Sequence, residues 1–157
     1  MDDKRALLRH TLATIAYRGG KTLRGAPSAF ATFKPSDQAR TPADTLAHMG
    51  DLMDWGLSMA SGAPAWNNST PLVWDREVAR FFDALGKFDA YLASDAPLGA
   101  SPEKLFQGPV ADTLWHVGQL ALLRRLYGAP IRGENYFKAD IAIGRVGLDQ
   151  TPPRFEF

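Results

Sequence analysis

The chain has no cysteine among its 157 residues. Disulfides, zinc–thiolate sites and cysteine nucleophiles are therefore excluded, because each needs a sulfur that only cysteine supplies. The sequence also has no apolar run near the roughly 20 residues of a membrane-spanning helix, and its first residues lack the apolar segment of a signal peptide. We therefore expect a cytoplasmic protein with no membrane partner.

The chain also lacks an excess of charge of either sign. Eighteen Lys and Arg residues stand against 17 Asp and Glu residues, which leaves a formal net charge of +1. No basic stripe or run is present, so nucleic acid is not an expected partner. Hydrophobic residues make up 45% of the chain, which excludes disorder and, at this length, suits one hydrophobic core. The sequence predicts a single domain over residues 1–157.

Apolar residues recur at spacings of three and four along most of the chain. This periodicity predicts four amphipathic helices, at residues 3–17, 42–60, 72–93 and 109–127. Residues 129–157 hold glycine and proline at loose spacing and predict an extended tail that packs on the helices. No convincing pair of strands is present. The predicted fold is therefore all-α, a four-helix bundle with long connections and an irregular C-terminal tail.

Local signals place the ends of these helices. Gly19 and Gly20 are expected to end the first helix. Thr41 provides a capping hydroxyl for the second, and Pro109 and Gly128 bracket the fourth.

Polar residues that could bind a metal or take part in catalysis share one face of the fourth helix. Asp112 and His116 lie one turn apart, and Gln119 continues their stripe. The stripe has the spacing of a packing face, so these groups should turn toward other helices. Polar groups in such a place need a hydrogen-bond partner or a metal. On the second helix, His48 begins a stripe that looks buried and also contains Trp55. Two imidazoles and one carboxylate would suit zinc, nickel, iron or manganese.

The same residues also have a structural interpretation. Asp112 lies in the first helical turn, where the helix dipole favours an acid, and His116 could simply bond to Asp112. On this alternative the chain is a non-catalytic bundle that binds a small ligand or dimerises. Geometry offers a test, since His48 and His116 both stand roughly 10–12 Å from their helix starts. They would lie at one level if the two helices are parallel, and would fit less well if these are antiparallel.

Two short motifs carry a resemblance to a known family. The run TPADTLAH from Thr41 to His48 resembles the opening of helix two in the DinB/YfiT-like superfamily of four-helix metal-dependent proteins. The run HVGQL, which starts at His116, is similar to the H-x-G-Q-[LI] run of the last helix in that family. The similarity covers nearly the whole bundle, as far as Gly128. It implies that His48 and His116 are metal ligands, with Asp112 at the position where the family usually has a third histidine.

The resemblance also implies a function. Relatives of this kind suggest thiol-linked transferase, isomerase or hydrolase chemistry on a small molecule, with a low-molecular-weight thiol as cofactor and a homodimer as the assembly. Gln119 and Trp55 would then contact the substrate or support the ligands. Glu134 and Asn135 follow the fourth helix and could fold back toward the site, Glu134 as a ligand or base and Asn135 as a contact to the substrate or the ligands. An exposed loop is an equal alternative. Asp112 stands where the family usually has a histidine. The site either keeps its metal through this harder ligand or has lost the metal.

Overall fold

The structure is a computed structural model that describes residues 2–157. These residues form helices and no strand, apart from one isolated antiparallel bridge between Glu134 and Glu156. The prediction of an all-α chain is confirmed. The α-helices are α1 (Asp3–Leu23), α2 (Pro42–Ala60), α3 (Trp74–Ala93), the single turn α4 (Pro102–Leu105) and α5 (Ala111–Tyr127). Shorter turns occur at Ser28–Thr32, Phe106–Val110 and Tyr136–Lys138.

Helix α1 is longer than its sequence predicts. Gly19 and Gly20 are buried inside it, and the helix continues to Leu23. A Cβ atom at Gly19 would lie 3.6 Å from the Phe81 ring, and one at Gly20 would lie 3.7 Å from the Phe82 ring. The predicted helix end is therefore wrong, because both glycines are buried beside rings of α3 and tertiary packing overrides their weak intrinsic preference for the helix.

The starts of α2 and α5 differ in their agreement with the sequence. Thr41 and Asp44 form the expected reciprocal capping box at α2. In contrast, Pro109 lies inside the π turn Phe106–Val110 rather than at the first position of α5. The helical path begins earlier, at α4, where Ser101 caps the first turn. Gly128 ends α5 with a left-handed φ of 88°, a conformation that glycine adopts without a steric penalty.

Helices α1 and α3 run in opposite directions. Near the start of α1, Arg9 binds Asp89 near the end of α3, at 2.8 Å. Near the end of α1, Gly19 packs against Phe81 in the first half of α3. This pairing of ends fixes the two helices as antiparallel.

Helices α2 and α3 run in the same direction. The Arg80 guanidinium of α3 binds the carbonyl of Ala47 in the first half of α2, and further along both helices Gly56 packs against Phe88. A helix of 19 residues spans roughly 28 Å, so the chain must return by that length between two parallel neighbours. Residues 61–73 make this return as an irregular connection along the helices.

Helices α2 and α5 are antiparallel. Trp55, in the second half of α2, lies beside Gly108, just before α5. His48, in the first half of α2, lies beside His116 further along α5. The four long helices therefore run up, down, down and up in chain order. They share one core, which includes Leu12, Ile15, Leu46, Met49, Met53, Phe81, Leu85, Phe88 and Leu120.

The tail after α5 is joined to α1 by buried charges. The Lys21 ammonium lies 2.7 Å from a carboxylate oxygen of Glu134 and 2.8 Å from one of Glu156. Tyr17 donates to the same Glu134 carboxylate at 2.6 Å. Glu134 and Glu156 are also the two residues of the isolated bridge. One lysine thus binds both ends of the tail segment that the bridge closes.

No helix within residues 2–157 is both long enough and apolar enough to cross a membrane.

A matched pair of glycine substitutions tests the close approach of α2 to α3. A Cβ atom at Gly56 would lie 2.7 Å from the buried Phe88 ring, whereas one at Gly86 of α3 would meet nothing within 4 Å. We expect Gly56→Ala to lower the free energy of unfolding by about 2 kcal/mol through overpacking. Gly86→Ala should raise it by about 0.5–1 kcal/mol, because alanine suits a helix interior better. Urea denaturation measures both, and a Gly56→Ala protein as stable as the parent would contradict this packing.

Candidate metal site

His48, Asp112 and His116 converge between α2 and α5. One ligand atom from each residue lies within 4.8 Å of the others. Nε2 of His48 is 3.7 Å from Oδ2 of Asp112, and Nε2 of His116 is 3.5 Å from Oδ1 of the same carboxylate. The imidazole rings stand perpendicular, with centroids 4.8 Å apart. The three residues predicted as metal ligands are therefore brought together.

The convergence occurs although α2 and α5 are antiparallel, so the expectation of a poorer fit is wrong. Trp55 of α2 lies beside Gly108, just before α5, so these two residues stand at a common level. From that level, His48 lies seven residues back along α2 and His116 lies eight residues further along the chain toward the middle of α5. At a rise of about 1.5 Å per residue, the two histidines reach nearly the same height.

The spacing around Asp112 is longer than that of hydrogen-bonded partners and leaves room for an ion between the side chains. Both imidazole–carboxylate gaps exceed the 2.7–3.2 Å of ordinary N–H···O bonds. Ligands about 2.1 Å from a cation stand roughly 3.0–3.4 Å apart in octahedral or tetrahedral geometry. The two gaps are slightly longer than that, and the ligand atoms of the three residues spread over as much as 4.8 Å, so the side chains would move inward to share an ion. The side chain of Asp112 is 45% exposed and borders open clefts.

Gln119 orients His116. Nδ1 of His116 lies 2.7 Å from Oε1 of Gln119. An amide oxygen only accepts hydrogen bonds, so with this oxygen as partner Nδ1 carries the ring proton and Nε2 keeps its lone pair. Such outer hydrogen bonds commonly fix the tautomer of a metal-binding histidine. Of the three groups expected to turn toward other helices, His116 is buried, whereas Gln119 is exposed and the Asp112 side chain is 45% exposed at the solvent edge of the site.

His48 is half-buried, and its surroundings disfavour the protonated, cationic form of its imidazole. Burial is the largest cause that lowers its pKa, and the nearby His116 and Arg40 act in the same direction. Asp112 opposes them with a weaker effect. A neutral imidazole is the form that binds metal ions, so His48 is held in the state that coordination requires.

Two tryptophans form the wall beside His48. The Trp66 ring lies edge-to-face at 5.6 Å from the His48 ring and at 5.7 Å from the Trp55 ring. With Leu52 and Asp112, they line a cleft of about 300 Å³. Trp55 was predicted as a contact at the site, whereas Trp66 was missed. A lone tryptophan in an otherwise polar connection was the available signal.

Hydrogen bonds on both sides of Trp66 hold the connection. Before it, Ser58 bonds through its hydroxyl to the backbone N–H of Ala65 at 3.0 Å. After it, the Ser69 backbone N–H and hydroxyl donate to the two carboxylate oxygens of Asp51, at 2.8 and 2.6 Å. Asp51 is buried and also lies 3.1 Å from the Arg80 guanidinium. Trp66 is therefore anchored to α2 and, through Arg80, to α3.

Glu134 and Asn135 lie elsewhere. The Glu134 carboxylate is fully buried against Tyr17 and Lys21 of α1 and is not among the converging ligand atoms. Asn135 is exposed, and its backbone N–H donates to the carbonyl of Phe155 at 3.0 Å. The prediction that Glu134 serves as ligand or base at this site is wrong, and so is the alternative of an exposed Glu134. Sequence gave no sign that Lys21 would capture it.

Within residues 2–157, His48, Asp112 and His116 form the single group of three or more histidines and carboxylates arranged to hold a metal ion. No protein-family model matches the chain, and no curated protein or solved structure is significantly similar to it. A functional assignment must therefore come from the geometry of this site and from the sequence motifs that contribute to it.

Two aspartates on α2 test the anchoring of the connection. Asp51→Ala removes both bonds to Ser69 and leaves Arg80 less compensated, so the free energy of unfolding should fall by about 3 kcal/mol. Asp54, 3.6 Å from Arg80 but 45% exposed, is the matched control, and Asp54→Ala should cost less than about 1 kcal/mol. Limited proteolysis within residues 61–73 should accelerate only for Asp51→Ala. Equal cleavage of the two variants would show that Asp51 does not hold the connection.

Proposed function

We propose that the chain is a divalent-metal-dependent enzyme of the DinB/YfiT-like type that acts on a small molecule. The observation that supports this proposal most directly is the convergence of His48, Asp112 and His116. The two histidines occupy the positions that the motif resemblance assigns to metal ligands. The up, down, down, up order of the helices brings these positions together from distant parts of the chain.

The donor set fits a catalytic rather than a purely structural metal. Three protein ligands leave at least one coordination position open, as catalytic sites require. Two imidazoles and a carboxylate suit zinc, nickel, iron or manganese. His48 and Asp112 both line the cleft of about 300 Å³, so a small molecule in that cleft could reach an ion held by these residues. Asp112 in place of a third histidine lowers the net charge of the site by one unit.

The proposed chemistry is thiol-linked transfer, isomerisation or hydrolysis. A divalent ion held here would lower the pKa of a coordinated thiol or water and so supply a nucleophile at neutral pH. Because the chain contains no cysteine, a thiol in the reaction must arrive as a substrate or cosubstrate. Gln119 keeps Nε2 of His116 unprotonated, and Trp55 and Trp66 shield His48 from part of the solvent.

The alternative is a non-catalytic module in which Asp112 and His116 form a structural pair. That account requires a direct, buried hydrogen bond between them. The short bond of His116 goes to Gln119 instead, and the Asp112 carboxylate is nearly half exposed beside an open cleft. Both observations favour the metal site over the structural pair.

Metal titration of tag-free protein tests the proposal. We expect one divalent ion per chain by isothermal titration calorimetry with zinc, nickel or manganese. His48→Ala and His116→Ala should each weaken binding by more than about 100-fold, since loss of an outer-shell partner alone costs 10–100-fold. The remaining histidine of the chain, His10, is exposed on α1 and far from the site in sequence, so it serves as the control. His10→Ala should bind metal like the parent. Absence of stoichiometric binding, or equal affinity in all three variants, would sink the proposal.

Substitutions around the ligands refine the test. Gln119→Leu should weaken metal binding by about tenfold, because His116 would lose the bond that fixes its tautomer. Asp112→Asn should weaken it more, since the anionic ligand is lost, whereas Asp112→His should retain zinc by recreating the ligand set of the family. Retention of full affinity by Asp112→Asn would show that this carboxylate is not a ligand.

A further inference from the structure

A second, polar cleft meets the tryptophan-lined cleft at His48. It measures about 240 Å³ and is lined by Arg40, Asp44, His48, Asp51, Asn68 and Ser69. The neighbouring cleft, of about 300 Å³, is lined by His48, Leu52, Trp55, Trp66 and Asp112. Each is at or below the lower end of the roughly 300–1,000 Å³ typical of small-molecule sites. Together they present one polar and one aromatic compartment on either side of a shared histidine.

The carboxylates of the polar cleft are already engaged by the protein. Asp44 accepts from the backbone N–H and hydroxyl of Thr41, at 3.1 and 2.6 Å, and so completes the cap of α2. Asp51 accepts two bonds from Ser69 and pairs with Arg80. These two acids therefore have structural roles that do not depend on a ligand.

Arg40 is the group in this cleft that remains available. Its side chain is exposed and forms no ion pair with any residue in the described range 2–157. It lines the same cleft as His48. An arginine fork binds carboxylates by two parallel hydrogen bonds, and the Asn68 amide beside it can donate as well. With Asp44 and Asp51 close by, a single cation suits a singly charged anion better than a phosphate dianion.

We propose that the substrate is a small monoanionic carboxylate that also carries an apolar or aromatic group. The carboxylate binds Arg40 and Asn68 in the polar cleft. The apolar group packs against Trp55 and Trp66 in the other cleft, where aromatic walls favour stacked or edge-to-face contact. The atoms between the two ends then lie beside His48 and Asp112. This inference rests on the proposed function for its assignment as substrate, but the two binding compartments exist without a metal.

Three related probes separate the two compartments. 3-Phenylpropionate has both groups, 3-phenylpropanamide lacks the charge, and acetate lacks the ring. Binding is measured by quenching of tryptophan fluorescence and by calorimetry, with metal-free and with zinc-loaded protein. We expect 3-phenylpropionate to bind about tenfold or more tightly than either of the other probes, as expected for one charged hydrogen-bonded contact and one aromatic contact.

Variants assign each contribution to its residue. Arg40→Gln should remove the preference for 3-phenylpropionate over its amide, whereas the same change at Arg125, an exposed arginine of α5 nine residues beyond His116, should leave it intact. Trp66→Ala should weaken both phenyl probes and leave acetate unchanged. Acid and amide that bind equally, or a preference that survives Arg40→Gln, would overturn the inference, as would a failure of 3-phenylpropionate to bind.

The two states of the protein keep this test distinct from that of the proposed function. If metal binds but the preference is absent, only the substrate class is wrong. If the preference is present in protein that binds no metal, the compartments are real and the metal-dependent function is wrong. If the carboxylate binds zinc directly, the preference will appear only in zinc-loaded protein and will be insensitive to Arg40→Gln, which also contradicts the inference.

Discussion

The partly buried guanidinium of Arg80 connects the parts of the molecule that form the site. It lies 2.6 Å from Glu77 on its own helix and 3.1 Å from Asp51 on α2, and it also binds the carbonyl of Ala47. A Cβ atom at Gly50 would lie 2.8 Å from this guanidinium, so the glycine makes room for it. Asp51 and Glu77 are buried, and a buried charge requires an opposite charge beside it. Arg80 supplies that charge to both carboxylates and so joins α2 to α3.

The carboxylates that hold Arg80 also hold the chain between the two helices. Asp51 receives two bonds from Ser69, and Glu77 accepts from the backbone N–H of Leu72 at 2.8 Å. A parallel pair of helices needs a long return connection, and such connections are ordinarily the variable parts of a fold. Here the network fixes the return path at two points. Trp66 consequently has a defined place over His48.

The sequence predicts those features that depend on local spacing. Periodicity and the capping box at Thr41 define α2, and the D-x-x-x-H spacing places Asp112 and His116 on one face. Local rules fail where contacts between distant segments decide. Gly19 and Gly20 look like a helix end until the packing of Phe81 and Phe82 against them is known.

The surroundings of the site depend even more on distant contacts. Nothing in the spacing of Trp66 or Arg40 shows that the connection and the start of α2 meet at His48. The burial of Glu134 depends on Lys21, more than a hundred residues earlier in the chain. Hydrophobic periodicity likewise does not predict whether two neighbouring helices are parallel or antiparallel, because the pattern is the same in both cases. The sequence therefore indicates the ligands of the candidate site better than the walls of its clefts.

The joint contact of Lys21 with Glu134 and Glu156 makes the C-terminal tail a closed loop of roughly 20 residues. Part of the entropy lost in closing such a loop is offset where one ammonium binds both of its ends, beside the backbone bonds of the bridge. Attachment of the two ends is then cooperative, because release of Lys21 removes one ionic contact from each end at the same time. The loop and α1 consequently belong to one unit of local stability, although they lie at opposite ends of the chain.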